Sequence, residues 1–270
     1  MKVHARLSIS GFRIAWIVVA LLCVAPARAE RDAFDLHTES VQLSGRDVEV
    51  DVYRPATGAS DGIAILAHGF TRARARHRDL GRALAAAGVI AVVPDLPNVM
   101  DHWGNGDAIV NLAHTLEQGA LGLAPFERSR IVLVGTSAGG LASVLAAAKL
   151  PGIAGWVGLD PVDRTGSGIR AAAQLSSPAV VLLAEPSGCN LFGSGRSIAH
   201  AAPRLLRAEM IRGASHCDFE SPTTKLCRVM CGESSSNMQA LARDETVSAV
   251  VEILHAGGTT HTSGATEAAQ

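Results

Sequence analysis

Two hydrophobic patterns alternate along the chain between residues 37 and 255. Short runs rich in Val, Ile and Leu, typical of buried strands, are separated by longer stretches in which Ala and Leu recur at helical spacing. This alternation predicts an α/β domain with a mostly parallel eight-stranded sheet and helices on both faces. The predicted strands are 37–42, 48–53, 63–67, 89–93, 131–134, 153–159, 179–184 and 208–211. The predicted helices are 78–87, 107–121, 138–148, 168–174 and 245–255.

The fifth predicted strand runs directly into Gly135-Thr136-Ser137-Ala138-Gly139 and then into a predicted helix. In this context Gly-x-Ser-x-Gly is typical of a nucleophile elbow, a strained turn that exposes a serine hydroxyl above the sheet. The flanking strand and helix favour this interpretation over an ordinary Gly/Ser turn. We expect Ser137 to be a nucleophile and the Ala138 N–H, at the start of the helix, to face a developing oxyanion.

Loops after two other predicted strands carry further groups that acyl transfer requires. The third strand is followed by His68-Gly69-Phe70-Thr71, where Gly69 permits a tight backbone and the Phe70 N–H can be the second oxyanion donor. His216 follows the last predicted strand, which is the place for a general base. The other histidines lie in helices, in the tail or too early in the chain. We expect His216 to accept the proton of Ser137.

Two strand ends offer the carboxylate that would orient this histidine. Asp160 ends the sixth predicted strand and Glu185 ends the seventh, and a proline follows each of them. Either could accept a hydrogen bond from His216 Nδ1. Asp163, slightly further along, is a third candidate. A carboxylate that is not used in this way would cap or brace a loop.

The chain also resembles a known group of enzymes. The loop at 68–70, the strand end Pro94-Asp95-Leu96-Pro97 and the elbow, placed after the fifth of eight strands, resemble the α/β-hydrolase superfamily. Within it they resemble the chlorophyllase, dienelactone hydrolase and cutinase-like serine esterases. The resemblance implies an α/β-hydrolase fold and a Ser-His-acid triad, and it implies no metal and no organic cofactor.

The same resemblance bears on the acid and on the substrate. Leu159-Asp160-Pro161-Val162-Asp163 resembles the chlorophyllase segment whose aspartate before Pro-Val is the triad acid, which implies Asp160. Cutinase-like enzymes place the acid after the seventh strand, which would correspond to Glu185. The sequence departs from plant chlorophyllases at Ala138, where they carry arginine. It departs from dienelactone hydrolases at Ser137, where they carry cysteine.

The first 29 residues have the features of a secretory signal peptide. Basic residues precede the apolar run Ile14–Ala25, and the small residues Ala27 and Ala29 suit cleavage after Ala29. An uncleaved anchor is the alternative. We expect a periplasmic or secreted protein with one α/β-hydrolase domain at 30–256, a disordered tail at 257–270 and no membrane span after cleavage.

Charge argues against a polyanionic partner. The chain has 24 basic and 25 acidic residues, and cleavage of 1–29 would remove four basic ones, leaving 20 against 25, a net charge of −5. Nucleic-acid binding needs a clustered positive face, so none is expected. The basic segment 72–78 is an exception. It is either a solvated loop or, beside the proposed site, a feature that favours anionic substrates.

Four cysteines would remain after cleavage, all in the C-terminal third of the chain, which we interpret as loops. They are Cys189, Cys217, Cys227 and Cys231. An even number in an exported chain predicts two disulfides near the histidine loop, with three pairings open. A metal or redox pair at Cys227 and Cys231 is the less favoured alternative.

These features together predict an exported serine hydrolase that cleaves carboxylic esters through an acyl-enzyme. We expect Ser137, His216 and Asp160 to form the triad, with the amides of Phe70 and Ala138 as the oxyanion hole. The expected substrate is a small-molecule or lipid-like ester, and the expected state is a monomer. The alternatives are a non-catalytic binding protein on the same fold, or a peptidase or acyltransferase with the same triad.

Overall fold

The computed structural model describes residues 34–56 and 60–258. The predicted signal peptide and residues 259–270 of the predicted tail lie outside the described residues. The strands are β1 Phe34–Leu43, β2 Arg46–Pro55, β3 Gly62–Ala67, β4 Val89–Pro94, β5 Ile131–Thr136, β6 Gly155–Leu159, β7 Ala179–Leu183 and β8 Leu205–Met210. The helices are α1 Arg78–Ala86, α2 His102–Glu117, α3 Ala138–Lys149, α4 Ser167–Ala172, α5 Gly195–Ala201, α6 Lys225–Cys231 and α7 Ser236–Gly258.

All eight strands form one sheet in the order β1-β2-β4-β3-β5-β6-β7-β8. The pairings of β1 with β2 and of β2 with β4 are antiparallel, and all other pairings are parallel. Helices α1 and α7 cover one face of the sheet, and α2, α3, α4 and α5 cover the other. The predicted mostly parallel, eight-stranded sheet with helices on both faces is therefore confirmed.

The central strands are short apolar runs because both of their faces are covered. Every residue of β3, β4, β5, β6 and β7 is buried, as expected for parallel strands between two helical layers. Burying β-branched and leucine side chains on both faces is the main source of stability in such a sheet. The carboxyl ends of the parallel strands then share one edge, where loops can bring distant residues together.

Two short helices lie where the sequence was interpreted as loops. Both lie in the C-terminal third of the chain: α5 begins at Gly195, and α6 includes two of the four cysteines. That interpretation was wrong because a seven-residue helix gives too little apolar periodicity to be recognised.

Helices α2 and α7 begin earlier than predicted. Helix α2 starts at His102 because the Asp101 side chain accepts a hydrogen bond from Gly104 N–H at 2.8 Å and caps the first turn. Helix α7 starts at Ser236, where the Ser235 hydroxyl accepts a hydrogen bond from Met238 N–H at 3.2 Å.

Two disulfides, Cys189–Cys231 and Cys217–Cys227, attach both ends of α6 to neighbouring loops. Cys227 and Cys231 are therefore bonded to different partners and not to each other. Within residues 34–56 and 60–258, none of the helices combines the length and the apolar composition that crossing a bilayer requires.

Candidate active site

Ser137 occupies a strained turn between β5 and α3. Its backbone has φ +56° and ψ −120°, a conformation that L residues rarely adopt. A Cβ at Gly135 would collide with the Gly139 carbonyl, and one at Gly139 would collide with the Ala67 carbonyl. Both glycines are therefore required by the close approach of neighbouring backbone, which is the geometry of a nucleophile elbow.

The structure brings Ser137, His216 and Asp160 together at the carboxyl edge of the sheet. His216 Nε2 lies 2.9 Å from Ser137 Oγ, and His216 Nδ1 lies 2.6 Å from Asp160 Oδ2. With Nδ1–H donating to the carboxylate, Nε2 is left to accept the serine proton. Three residues spread over 79 positions of the chain thus form one continuous hydrogen-bonded chain.

The carboxylate of Asp160 is completely buried and has further donors besides His216. Ala184 N–H donates to Oδ1 at 3.1 Å, and Asn190 Nδ2 donates to Oδ1 at 3.3 Å and to Oδ2 at 3.1 Å. Together with His216, these donors hold the carboxylate in one orientation. Asn190, seven residues after the end of β7, was not recognised in the sequence because its burial beside Asp160 is visible only in the structure.

The other two candidate acids are used elsewhere. Glu185 has an exposed side chain that accepts a hydrogen bond from Gly213 N–H at 3.3 Å. Asp163 accepts from Gly168 N–H and Ile169 N–H, at 2.8 and 3.2 Å, and caps the start of α4. Both carboxylates brace loops and make no hydrogen bond to His216 in the part of the chain that the structure describes.

The two residues that carry the candidate oxyanion donors line the same cleft. Phe70 and Ala138 both line a cleft with about 330 Å³ of empty space, part of which is open to solvent. Neither backbone N–H donates to another group among the described residues. Their N–H groups are therefore free to bind a negatively charged oxygen beside Ser137.

The comparisons with known proteins agree with this architecture. The structure is similar to the crystal structure of a dienelactone hydrolase from Anabaena variabilis ATCC 29413, with a TM-score of 0.59 and 19% sequence identity. The match covers 68% of this chain and 88% of that protein. The chain has the α/β-hydrolase fold. No protein-family model matches the sequence, and the search of curated protein sequences found no match.

The buried side chain of His68 holds the loop that carries the candidate oxyanion donor Phe70. Leu96 N–H donates to His68 Nε2 at 2.9 Å, so Nδ1 carries the proton and donates to the Gly69 carbonyl at 3.0 Å. Burial lowers the pKa of His68 below its usual value and keeps the ring neutral. The loop is thereby attached to the segment that follows β4.

A buried ion pair lies on the opposite side of the same loop. Arg72 Nε donates to both carboxylate oxygens of Glu220 at 2.9 Å, and Arg72 lines the cleft. Burial raises the pKa of Glu220 against the opposing effect of Arg72. The basic segment noted in the sequence therefore reaches the site at one residue, whose charge is already paired. Glu220 was not recognised in the sequence because its partner is 148 residues away.

Strained backbone is concentrated around the site. Seven non-glycine residues among those described have positive φ, and five of them belong to the loops around Ser137. These five are Thr71, Ser137, Asp160, Leu191 and Phe192. Strain of this kind persists only where surrounding contacts hold it, and in folded proteins it collects at functional sites.

Proposed function

We propose that this protein is a serine hydrolase that cleaves carboxylic esters. The observation that carries the proposal is the hydrogen-bonded chain from Ser137 Oγ through His216 to the buried carboxylate of Asp160. In the proposed mechanism His216 takes the proton of Ser137 as its oxygen attacks the ester carbonyl. The N–H groups of Phe70 and Ala138 stabilise the oxyanion that forms.

Two steps complete the proposed turnover. His216 returns its proton to the leaving alcohol, and the acyl group remains on Ser137. Water then attacks this acyl-enzyme with His216 as the base, which releases the acid and restores the serine. Asp160 accepts the hydrogen bond from His216 Nδ1, orients the imidazole and stabilises the imidazolium.

Apolar side chains near the cleft support a small-molecule or lipid-like substrate. Phe70 and Val99 line the cleft and are 47% and 59% exposed, and Met100 and Trp103 follow closely in the chain at 73% and 52%. Exposed apolar groups that cluster beside a polar site are typical of ligand-binding surfaces. The two disulfides support export to an oxidising compartment.

The test is hydrolysis of a panel of p-nitrophenyl esters by the purified protein and by Ser137→Ala. We expect the wild type to hydrolyse at least the short-chain esters and the variant to lose this activity. The wild type should also react covalently with a fluorophosphonate, with the label on Ser137. Activity that survives Ser137→Ala would exclude the proposed nucleophile. An inert wild type would favour a binding protein, and cleavage of amides or transfer to alcohols in preference to hydrolysis would favour a peptidase or an acyltransferase.

A further inference from the structure

The Arg72–Glu220 ion pair connects the two loops that carry the proposed oxyanion donor and the proposed base. Arg72 follows Phe70 by two positions, and Glu220 follows His216 by four. The two side chains are 16% and 6% exposed. A movement of either loop would therefore have to break or carry along this ion pair.

The ion pair is not the sole contact between the two segments that include these loops. Segments 76–79 and 221–222 are joined by four other hydrogen bonds: Ser221 N–H to the Arg76 carbonyl at 2.9 Å, Asp79 N–H to the Ser221 carbonyl at 3.0 Å, Ser221 Oγ to Asp79 at 2.8 Å, and Arg76 Nη1 to the Pro222 carbonyl at 3.0 Å. A buried ion pair also adds little net stability, because desolvation of both charges offsets their attraction. The fold therefore does not explain why two charges are buried here.

The position of the Glu220 carboxylate suggests a reason. A Cβ placed on Gly69 would lie 3.3 Å from Ser137 Cβ and 3.4 Å from Glu220 Oε1. The carboxylate thus lies next to the backbone of the oxyanion loop and close to the nucleophile. It also interacts electrostatically with His216. An unpaired negative charge at this place would oppose an oxyanion nearby.

We propose that Arg72 and Glu220 are positioning residues of the hydrolase. Their ion pair fixes the Phe70 N–H and His216 relative to Ser137, and Arg72 neutralises the carboxylate so that it does not repel the oxyanion. This inference rests on the proposed function. Small displacements of aligned groups lower the rate of the chemical step more than they change binding.

The test compares Arg72→Met, Glu220→Gln and the double variant in the full-length protein, with a neutral short-chain p-nitrophenyl ester. Arg72→Met leaves the carboxylate unpaired and should lower kcat about 100-fold, while Glu220→Gln should lower it about tenfold. KM should stay within about threefold of the wild-type value, because the two charges are paired with each other and this substrate is neutral. Adding Glu220→Gln to Arg72→Met should raise kcat, because it removes the uncompensated charge. Two residues that affected kcat independently of each other would instead give losses that add.

Arg74→Met is the matched control. Arg74 lies on the same segment and pairs with Glu49, Asp51 and Asp95, but it does not line the cleft. We expect its kcat to equal that of the wild type. Circular dichroism and thermal unfolding of all variants identify any that fail to fold.

Four results would overturn the proposal. If Ser137→Ala is inactive, two results reject the positioning role and leave the proposed function intact. One is an Arg72→Met variant with the kcat of the wild type, and the other is a double variant with a lower kcat than either single variant. An inert wild type, or an active Ser137→Ala, rejects the proposed function and the positioning role with it.

Discussion

Asn190 donates its side-chain amide to both carboxylate oxygens of Asp160, although the two residues follow different strands of the sheet. The same amide nitrogen lies 3.0 Å from the Glu185 carbonyl, and the Asn190 Oδ1 accepts from Ser187 N–H at 2.8 Å and Gly193 N–H at 3.1 Å. The asparagine is fully buried and its side chain is held on all sides. It therefore orients the carboxylate that in turn orients His216.

Replacing Asn190 with alanine should weaken catalysis and stability together. The variant leaves a buried carboxylate with fewer donors, which costs about 1–3 kcal/mol of the free energy of unfolding. We expect kcat for a short-chain ester to fall about tenfold because Asp160 gains freedom to rotate. Steady-state kinetics and urea unfolding measure the two effects. Asn111→Ala, at an exposed position of α2, is the control and should change neither. A fully active Asn190→Ala protein would contradict the orienting role.

Removing one disulfide should cost more stability, and removing the other should cost more activity. Cys189–Cys231 closes a loop with a sequence separation of 42, and Cys217–Cys227 one with a separation of 10. Loop-closure entropy gives about 4 kcal/mol for the longer loop and about 3 kcal/mol for the shorter. Cys217, however, directly follows His216 in the chain.

We therefore expect the Cys189→Ser/Cys231→Ser protein to unfold at the lower temperature and the Cys217→Ser/Cys227→Ser protein to lose more kcat. Thermal unfolding and ester hydrolysis on the same preparations measure the order. Equal activity losses in the two double variants would argue against a special role for the bridge next to His216.

The local sequence pattern was sufficient to predict the strands and the sharp turn at Ser137. The run at 131–134 is apolar because both sheet faces are covered, and Gly135 and Gly139 have no room for a side chain. Burial of the strand and the lack of space at the two glycines affect residues that are adjacent in the chain, so together they give a continuous pattern in the sequence. The position of His216 after the last strand could be predicted for a similar reason, because strand order fixes which loops share an edge.

Residues that act through distant partners could not be predicted in this way. Glu220 and Arg72 are 148 positions apart, and Asn190 and Asp160 are 30 apart. Neither pair leaves a periodic signal. The sequence also left Asp160 and Glu185 as alternatives, since both carboxylates end a predicted strand before a proline, and only coordinates show that Asp160 is the one hydrogen-bonded to His216. Helix α6 was missed because disulfides, rather than an apolar stripe, attach it to the domain.

Acid should destabilise the fold through the buried His77. This ring is 1% exposed, its Nε2 lies 3.3 Å from the Ala67 carbonyl, and its Nδ1 has no partner among the described residues. Burial lowers the pKa of His77 from 6.5 to about 4. As the pH falls from 6.5 to 4 the unfolded chain gains a proton that the folded protein does not bind, so stability is lost across this window.

The loss attributable to His77 is about 3 kcal/mol, because each pKa unit corresponds to about 1.4 kcal/mol. His77→Leu should flatten the dependence of the free energy of unfolding on pH by this amount, as measured by urea unfolding between pH 4 and 7. His200→Gln, on the exposed side of α5, should keep the wild-type slope. A His77→Leu protein with an unchanged slope would show that folding does not lower the pKa of His77.

Conservative changes at the two strand-end carboxylates distinguish orientation of His216 from bracing of a loop. Asp160→Asn keeps the shape of the side chain but reverses its hydrogen bond to His216 Nδ1, because an amide nitrogen can donate there. The imidazole then adopts the tautomer that cannot accept the serine proton, and kcat should fall by about 10⁴. Glu185→Gln keeps an acceptor for Gly213 N–H and should retain kcat within about twofold. Both variants should unfold cooperatively, which circular dichroism can verify before kinetics. A larger loss of kcat in Glu185→Gln than in Asp160→Asn would reassign the acid and remove the basis for the triad proposed here.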